Sequence, residues 1–117
     1  MIVLKFGGTS VQNAEMMDAT LAIIERQIDR APVLVSSAMA KVTDQLQEIA
    51  RLVGAGKEAE AEAILAAVLE RHLVCARTFL TGKNLAQCEE DLNAVCGELH
   101  AFIKALAMLK EWSKRSN

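Results

Sequence analysis

The stretch Ile2-Val-Leu-Lys-Phe-Gly-Gly8, together with the later run Val33-Leu-Val35, decides the fold of this chain. The first run consists of β-favouring residues and stops at two glycines, which predicts a short strand over 2–6. Between the two runs, a helix over about 13–29 is predicted from the spacing of Met17, Leu21, Ile24 and Ile28. Strand, helix and strand in this order form a βαβ unit, so we expect parallel strands and a right-handed crossover.

After Ser37 the strand signals stop, and the pattern predicts three helices over about 42–53, 58–80 and 84–112. The predicted fold class is therefore α/β, with a βαβ unit in residues 1–40 and a helical part in residues 41–117. A two-stranded parallel sheet is marginal by itself, because parallel strands are normally buried on both faces. We therefore expect the N-terminal piece of a larger α/β protein. The alternative is that another chain completes the sheet.

The last predicted helix repeats apolar residues at alternating three- and four-residue spacing over more than three heptads. One row comprises Leu85, Leu92, Leu99 and Leu106, and the other comprises Cys88, Val95, Phe102 and Leu109. The favoured interpretation is an antiparallel hairpin packed on the preceding helix. A dimer seam along Leu85–Leu109 is the alternative, and it would make the chain a non-catalytic self-association or interaction module.

The charge balance is nearly even, with 13 Lys and Arg against 15 Asp and Glu. This balance provides no basic face for nucleic acid. The longest uninterrupted apolar run, Ala63–Leu69, falls far short of the roughly 20 residues of a membrane span. Residues 1–5 lack the features of a signal peptide. We therefore expect a soluble, cytoplasmic protein with no nucleic-acid or membrane partner.

The cysteines and histidines predict no metal site in the chain. Cys75, Cys88 and Cys96 form no Cys-x-x-Cys pair, and each falls in an apolar helical pattern. Reduced core thiols are thus favoured over metal or redox roles. His72 follows Val68 by four residues on an apolar face, which favours a core or boundary histidine. His100 is expected to have no neighbouring ligand partner.

The strongest chemical signal is the turn Lys5-Phe-Gly-Gly-Thr-Ser-Val11, which follows the first strand. Ligands of open α/β sheets bind at the carboxyl ends of strands, where this turn lies. Gly7 and Gly8 would let the backbone approach a ligand and adopt φ values closed to other residues. Thr9 and Ser10 add hydroxyl donors, and Lys5 adds a positive charge. The set suits a transferring phosphoryl group, while an ordinary turn with a solvated lysine is the alternative.

The second strand ends in Ser36-Ser-Ala-Met-Ala-Lys-Val-Thr-Asp44, and parallel pairing would bring this turn beside the first one. Ser37 and Thr43 would then hydrogen-bond a substrate. Alternatively, one of them caps the following helix. Lys41 either attracts an anion or faces water.

The string Lys-Phe-Gly-Gly-Thr-Ser-Val after an N-terminal strand closely resembles the opening signature of the aspartate kinases. Residues 35–44 are similar to the family segment Ser-Ala-x-Ala-Gly-Val-Thr-Asp/Asn, at the expected distance. The sharp resemblance covers residues 1–44. Lys41 stands where the family usually has Gly, and it would strain the turn if that position needs a positive φ.

The resemblance implies the amino-acid kinase fold, a three-layer sandwich around a mostly parallel sheet. The family transfers the γ-phosphoryl of ATP, with Mg²⁺, to the β-carboxylate of L-aspartate. The product, 4-phospho-L-aspartate, leads to lysine, threonine and methionine. By position, Lys5 would be the catalytic charge, and the ATP phosphates would be held by Lys5, Gly7, Gly8, Thr9 and Ser10. Ser37 and Thr43 would bind aspartate.

The resemblance also implies that much of the parent enzyme is missing. The chain stops at Asn117, about where the family's Ser-x-Gly-Glu motif would begin. The nucleotide-binding C-terminal half and the regulatory ACT domains would lie beyond it. We therefore expect this part alone to be inactive and to hold no Mg²⁺, and we expect the parent to be a homo-oligomer.

Overall fold

A computed structural model describes the backbone of residues 1–116 and the side chains of residues 1–114, so Asn117 lies outside the described part. The elements in order are β1 (Ile2–Phe6), a 3₁₀ turn (Gly8–Val11), α1 (Ala14–Arg26), a second 3₁₀ turn (Ile28–Arg30), β2 (Pro32–Ser36), α2 (Val42–Gly54), α3 (Glu58–Phe79) and α4 (Gly82–Ser116). They form two compact units, Met1–Thr43 and the residues from Asp44 onward. The predicted order of strands and helices is confirmed.

In the first unit, β1 and β2 pair in parallel, from Ile2 opposite Pro32 to Phe6 opposite Ser36, as the βαβ pattern predicts. Helix α1 begins after Asn13, whose side-chain oxygen accepts a hydrogen bond from the Met16 N–H at 2.9 Å. The helix ends at Arg26, three residues earlier than predicted, and a 3₁₀ turn follows. Ala31, which precedes Pro32, has φ of +49°. A residue before proline avoids the right-handed α conformation, so the helical turn ends at this position.

The two strands expose apolar side chains. Val3 is 65% exposed, and Val33, Leu34 and Val35 are 46–48% exposed. Parallel sheets normally bury both faces under helices or neighbouring strands. The exposure agrees with the expectation that other strands, from the same protein or from a partner, complete this sheet.

Backbone pairing continues beyond the ends of the strands. The Ser37 N–H donates to the Phe6 carbonyl at 3.0 Å, and the Ala40 N–H donates to the Gly8 carbonyl at 3.2 Å. A Cβ placed on Gly8 would lie 3.2 Å from the Ala40 Cα, whereas a Cβ on Gly7 would meet nothing within 4 Å. Gly8 therefore permits the contact between the turns that follow β1 and β2.

The residues before α2 form a turn in which the Val42 N–H donates to the Met39 carbonyl at 3.1 Å. Lys41, the third residue of this turn, has φ of +71°. A positive φ at the third position of a β-turn favours Gly or Asn. The expected strain is confirmed, because Lys41 adopts a conformation that suits a glycine.

The second unit is built around a small core shared by its three helices. Its buried members are Ile49, Leu52, Val53, Ala61, Leu65 and Ile103. Ion pairs connect the start of α3 to the later part of α4 (Glu58–Lys104, 2.7 Å) and the end of α3 to the early part of α4 (Arg77–Glu89, 3.2 Å). Helices α3 and α4 are thus antiparallel, which confirms the hairpin interpretation.

The heptad rows predicted for the hairpin seam are wrong in part. Val95, Phe102 and Leu109, from the second row, are 57–66% exposed. Leu99 of the first row does meet the core, together with Cys96 and Ile103, which belong to neither row. At 3.6 residues per turn, Cys96, Leu99 and Ile103 share one face of the helix, and Val95, Phe102 and Leu109 lie on the neighbouring face.

By length and composition alone, Gly82–Lys114 is long and apolar enough to cross a membrane, although no uninterrupted apolar run in the sequence is that long. Core helices of water-soluble proteins meet the same criterion. The ion pair of Lys104 with Glu58 joins the middle of this helix to α3.

The prediction of core thiols holds for Cys75, which is buried, and for Cys96, which packs against the core, whereas Cys88 is only half-buried. Cys75, Cys88 and Cys96 form no disulfide, and burial raises the pKa of Cys75 and of Cys96, which disfavours the reactive thiolate. The His72 Nδ1 lies 2.7 Å from the Val68 carbonyl, as in a boundary histidine bonded within its own helix. The prediction for His100 is wrong in that its Nδ1 lies 2.7 Å from Glu62 Oε2 on α3.

Substituting each of the two glycines after β1 tests whether Gly8 is needed for the close contact with the Ala40 backbone or only for the flexibility of a glycine. Gly8→Ala should lower the free energy of unfolding by roughly 1–3 kcal/mol, because the new methyl group presses on the Ala40 backbone. Gly7→Ala is the matched control. Gly7 has φ of −82° and open space around it, so this change should be neutral or slightly stabilising. Thermal unfolding of the two variants measures the difference, and equal midpoints would contradict the packing argument.

Relieving the backbone at Lys41 should stabilise the first unit. Lys41→Gly removes a left-handed conformation that costs a side-chain-bearing residue about 1 kcal/mol, so the unfolding midpoint should rise by a few degrees. Lys41→Ala serves as the control, since it removes the ammonium group and keeps the strained backbone. A stabilisation of the same size in Lys41→Ala would assign the effect to charge and not to φ.

Candidate functional site

The site begins at the carboxyl end of β1, where Lys5 pairs across the sheet with Val35. The side chains of Leu4 and Phe6 are half-buried, and Lys5 between them is exposed. Alternation along a strand points successive side chains to opposite faces. The ammonium group of Lys5 is thus carried on the solvent-facing side of the strand, one residue before the glycine turn.

The glycine turn is a single 3₁₀ turn, closed by a hydrogen bond from the Ser10 N–H to the Gly7 carbonyl at 3.1 Å. The first N–H groups of such a turn, those of Gly8 and Thr9, have no acceptor within it. The expectation that Gly7 and Gly8 use φ values closed to other residues is wrong, because neither has a positive φ. The small size of Gly8 is what the turn uses, since the Ala40 backbone lies against it and would be crowded by a side chain.

Thr20 anchors this turn, a role that sequence reasoning missed. Its hydroxyl donates to the Ser10 carbonyl at 2.8 Å, and the residue is only 7% exposed. Buried carbonyls require a donor, and this hydroxyl supplies it from the neighbouring helix α1. The available signal was a lone threonine on the apolar face of α1, one turn after Met17 and one turn before Ile24.

The second turn carries the two predicted hydroxyls, and both residues are exposed. The Ser37 hydroxyl donates to the Ala38 carbonyl at 2.9 Å. Helix α2 begins at Val42, which puts Lys41 at the capping position and Thr43 inside the first turn. Neither Ser37 nor Thr43 therefore occupies the cap, and the alternative of simple helix capping does not describe them.

The structure brings the two turns together through backbone contacts. The Phe6 carbonyl accepts a hydrogen bond from the Ser37 N–H, and the Gly8 carbonyl accepts one from the Ala40 N–H. Together the turns present the Lys5 ammonium group, several hydroxyls and the backbone N–H groups of Gly8 and Thr9. Donors of these kinds bind phosphate and carboxylate oxygens.

The same donor set does not suit a metal ion. Residues 5–11 and 36–43 include no carboxylate, and Asp44 at the end of the second segment supplies a single one, whereas Mg²⁺ is held by oxygen ligands such as Asp and Glu. Over the described residues, no group of three or more His, Cys, Asp or Glu side chains is placed to hold a metal. These turns therefore fit the anionic groups of a ligand, and Asp44 is the one carboxylate near them in sequence that could assist in holding the Mg²⁺ that the resemblance implies.

Comparison with known proteins places this geometry in a family. The chain matches the amino acid kinase family over residues 1–110. It is 34% identical over 104 residues to the chloroplastic bifunctional aspartokinase/homoserine dehydrogenase 2 of Arabidopsis thaliana, which is 89% of this chain and 11% of that protein. It is 33% identical over 116 residues to the chloroplastic aspartokinase 2 of the same plant, which is 97% of this chain and 20% of that protein.

A maize relative gives the same result. The chloroplastic bifunctional aspartokinase/homoserine dehydrogenase 1 of Zea mays is 30% identical over 104 residues, covering 89% of this chain and 11% of that protein. The chain thus spans only a tenth to a fifth of the length of these curated relatives. Both donor-bearing turns lie inside the matched residues, and the match covers nearly the whole chain, so the chain belongs to the amino acid kinase family and is similar within it to aspartokinases.

Proposed function

We propose that the protein to which this chain belongs is an aspartokinase, which transfers the γ-phosphoryl of ATP to the β-carboxylate of L-aspartate and forms 4-phospho-L-aspartate. One observation carries the proposal. Backbone hydrogen bonds, from Ser37 to Phe6 and from Ala40 to Gly8, hold the two turns that bear the hydrogen-bond donors beside each other. The names of the similar plant proteins support the choice of substrate.

On the phosphate side, Lys5 is the proposed catalytic residue. Phosphoryl transfer passes through a loose transition state whose negative charge is spread over the equatorial oxygens, and catalysis is mainly positioning and electrostatics. The Lys5 ammonium group would stabilise that charge. Gly7, Gly8, Thr9 and Ser10 would bind the ATP phosphates through backbone N–H groups and hydroxyls. Thr20 supports them indirectly, because its bond to Ser10 fixes the end of the turn.

On the aspartate side, Ser37 and Thr43 are the proposed contacts. Their turn is bonded to the phosphate-side turn, which favours a geometry in which the β-carboxylate oxygen faces the γ-phosphorus. Lys41 lies between them in sequence and is exposed, so its charge would add attraction for an anionic substrate. Its left-handed backbone would also influence where Thr43 sits, since only Val42 separates the two residues.

Several features of the whole protein belong to the same proposal. Mg²⁺ would accompany ATP, held by ligands other than these two turns, and the product would enter lysine, threonine and methionine synthesis. The 117-residue chain alone would be inactive, because its two-stranded sheet exposes faces that an active site of this family would need covered. A cytoplasmic location stays part of the proposal, although the plant relatives are named as chloroplastic.

Removing the Lys5 charge tests the assignment directly. In the full-length protein, Lys5→Ala should lower kcat for ATP-dependent aspartyl phosphate formation by roughly 100-fold or more, as for loss of one transition-state donor. Lys83→Ala is the matched control, because Lys83 is an exposed lysine in the second unit. Aspartyl hydroxamate formation provides the assay, and circular dichroism checks folding. Wild-type turnover in Lys5→Ala would refute the proposed role.

A second substitution tests the aspartate contact. Thr43→Val replaces the hydroxyl with a methyl group of similar size, so KM for aspartate should rise roughly tenfold while KM for ATP stays unchanged, as for one lost bond to a charged group. Thr78→Val is the control, since Thr78 is an exposed threonine on α3 whose hydroxyl bonds only its own helix. A rise in KM for ATP alone would place Thr43 on the wrong side of the site.

A further inference from the structure

Lys41 is held in a backbone conformation that its side chain disfavours. Its φ is +71°, and only Ala31 shares a positive φ with it among the non-glycine residues that the structure describes. Glycine adopts such a φ without strain, and the aspartate kinase segment that residues 35–44 resemble usually has glycine at this position. The turn therefore needs the conformation and not the lysine. Backbone strain of this kind clusters at functional sites, so the side chain itself calls for an explanation.

The Lys41 side chain makes no polar contact that would offset the strain. It is exposed, and over the described residues its ammonium group has no hydrogen-bond or ion-pair partner. Lysines elsewhere in the chain differ in this respect. Lys104 pairs with Glu58, and Lys110 donates to the Gly54 carbonyl. The ammonium group of Lys41 is therefore available to a ligand.

The backbone of Lys41 lies at the junction of the two turns. Ala40, the residue before it, donates to the Gly8 carbonyl at 3.2 Å, and the Ala40 Cα lies against Gly8. Thr43, the proposed aspartate contact, follows two residues after Lys41. Lys41 thus stands between the turn proposed to bind phosphate and the residue proposed to bind the acceptor.

The two turns carry positive charge with little compensation. Residues 5–11 and 36–43 contain Lys5 and Lys41 and no carboxylate, and Asp44 is the one acidic residue directly beside them in sequence. Uncompensated cations in one site attract ligands that carry several negative charges. A nucleoside triphosphate and a dicarboxylic amino acid are ligands of this kind, and one lysine is present for each.

We infer that Lys41 is a substrate-binding residue of this site, whose ammonium group pairs with the α-carboxylate of the acidic amino acid. The β-carboxylate is the nucleophile, and a close ion pair would weaken it, so the α-carboxylate is the better partner. The inference rests on the proposed function and explains why a strained lysine occupies a glycine position. Stability lost in the turn is offset by tighter binding of the substrate.

Steady-state kinetics of the full-length protein test the role of the charge. Lys41→Gln keeps a long polar side chain and the left-handed backbone, so KM for aspartate should rise roughly tenfold while KM for ATP stays unchanged, as for one lost bond to a charged group. Lys41→Arg keeps the charge and should keep KM for aspartate close to the wild-type value. Lys83→Gln is the matched control, because Lys83 is an exposed lysine in the second unit.

A substrate analogue tests which carboxylate is bound. The 1-amide of aspartate lacks the α-carboxylate and keeps the β-carboxylate, so its inhibition constant against aspartate should be the same in the wild type and in Lys41→Gln. Pairing with the β-carboxylate would instead raise that constant as much as KM for aspartate.

Lys41→Gly links binding to stability. This variant should raise the unfolding midpoint and also raise KM for aspartate roughly tenfold, because it removes the strain and the charge together. Stability and substrate affinity then change in opposite directions, which a merely structural role of Lys41 does not produce.

Three results in an active protein would overturn this inference and leave the proposed function intact. They are an unchanged KM for aspartate in Lys41→Gln, an equal rise in Lys41→Arg, and an amide whose inhibition constant rises as much as KM for aspartate. A full-length wild-type protein that does not phosphorylate aspartate would overturn the proposed function and this inference with it.

Discussion

The contact between Gly8 and Ala40 is the constraint on which the candidate site depends. Two loops that follow parallel strands can diverge freely, and here their backbones are in van der Waals contact and share a hydrogen bond of 3.2 Å. A side chain at position 8 would press on the Ala40 backbone, which would have to move by a few tenths of an ångström. The contact holds the end of β1, with Lys5, against the segment that carries Ser37. The chemistry proposed for the site needs donors from both segments around one ligand, and this contact provides their proximity.

Local sequence signals predicted the elements well because neighbouring residues determine them. Strand β1 was predicted over the residues it occupies, and α2 and α3 each agree within one residue at either end. The end of α1 was placed too late, because the apolar periodicity continues to Ile28 whereas the backbone changes to a 3₁₀ turn over Ile28–Arg30. The pairing of the strands and the proximity of the two turns also followed, since a βαβ connection leaves little choice of topology.

Features that depend on long-range packing were not predictable in the same way. The bond from Thr20 to Ser10 and the pair of His100 with Glu62 join residues that periodicity treats separately. The heptad rows were misassigned because the pattern of α4 contains two apolar faces, and only packing shows which one meets α3. Gly8 was recognised as important for the wrong reason. Its φ is not positive, and the backbone that a side chain would crowd belongs to the second loop.

The separation of the chain into two compact units has a consequence for biosynthesis. The hairpin of α3 and α4 joins segments that are adjacent in sequence, and such local contacts form rapidly. Strand β1 is synthesised first, yet its partner β2 begins only at Pro32, after α1 has been made. During translation, the apolar residues of β1 therefore stay unpaired until α1 and β2 have been synthesised. Even after pairing, the Val33-Leu-Val35 run stays half exposed, so the nascent first unit presents apolar surface that is prone to aggregate until later segments or a partner cover it.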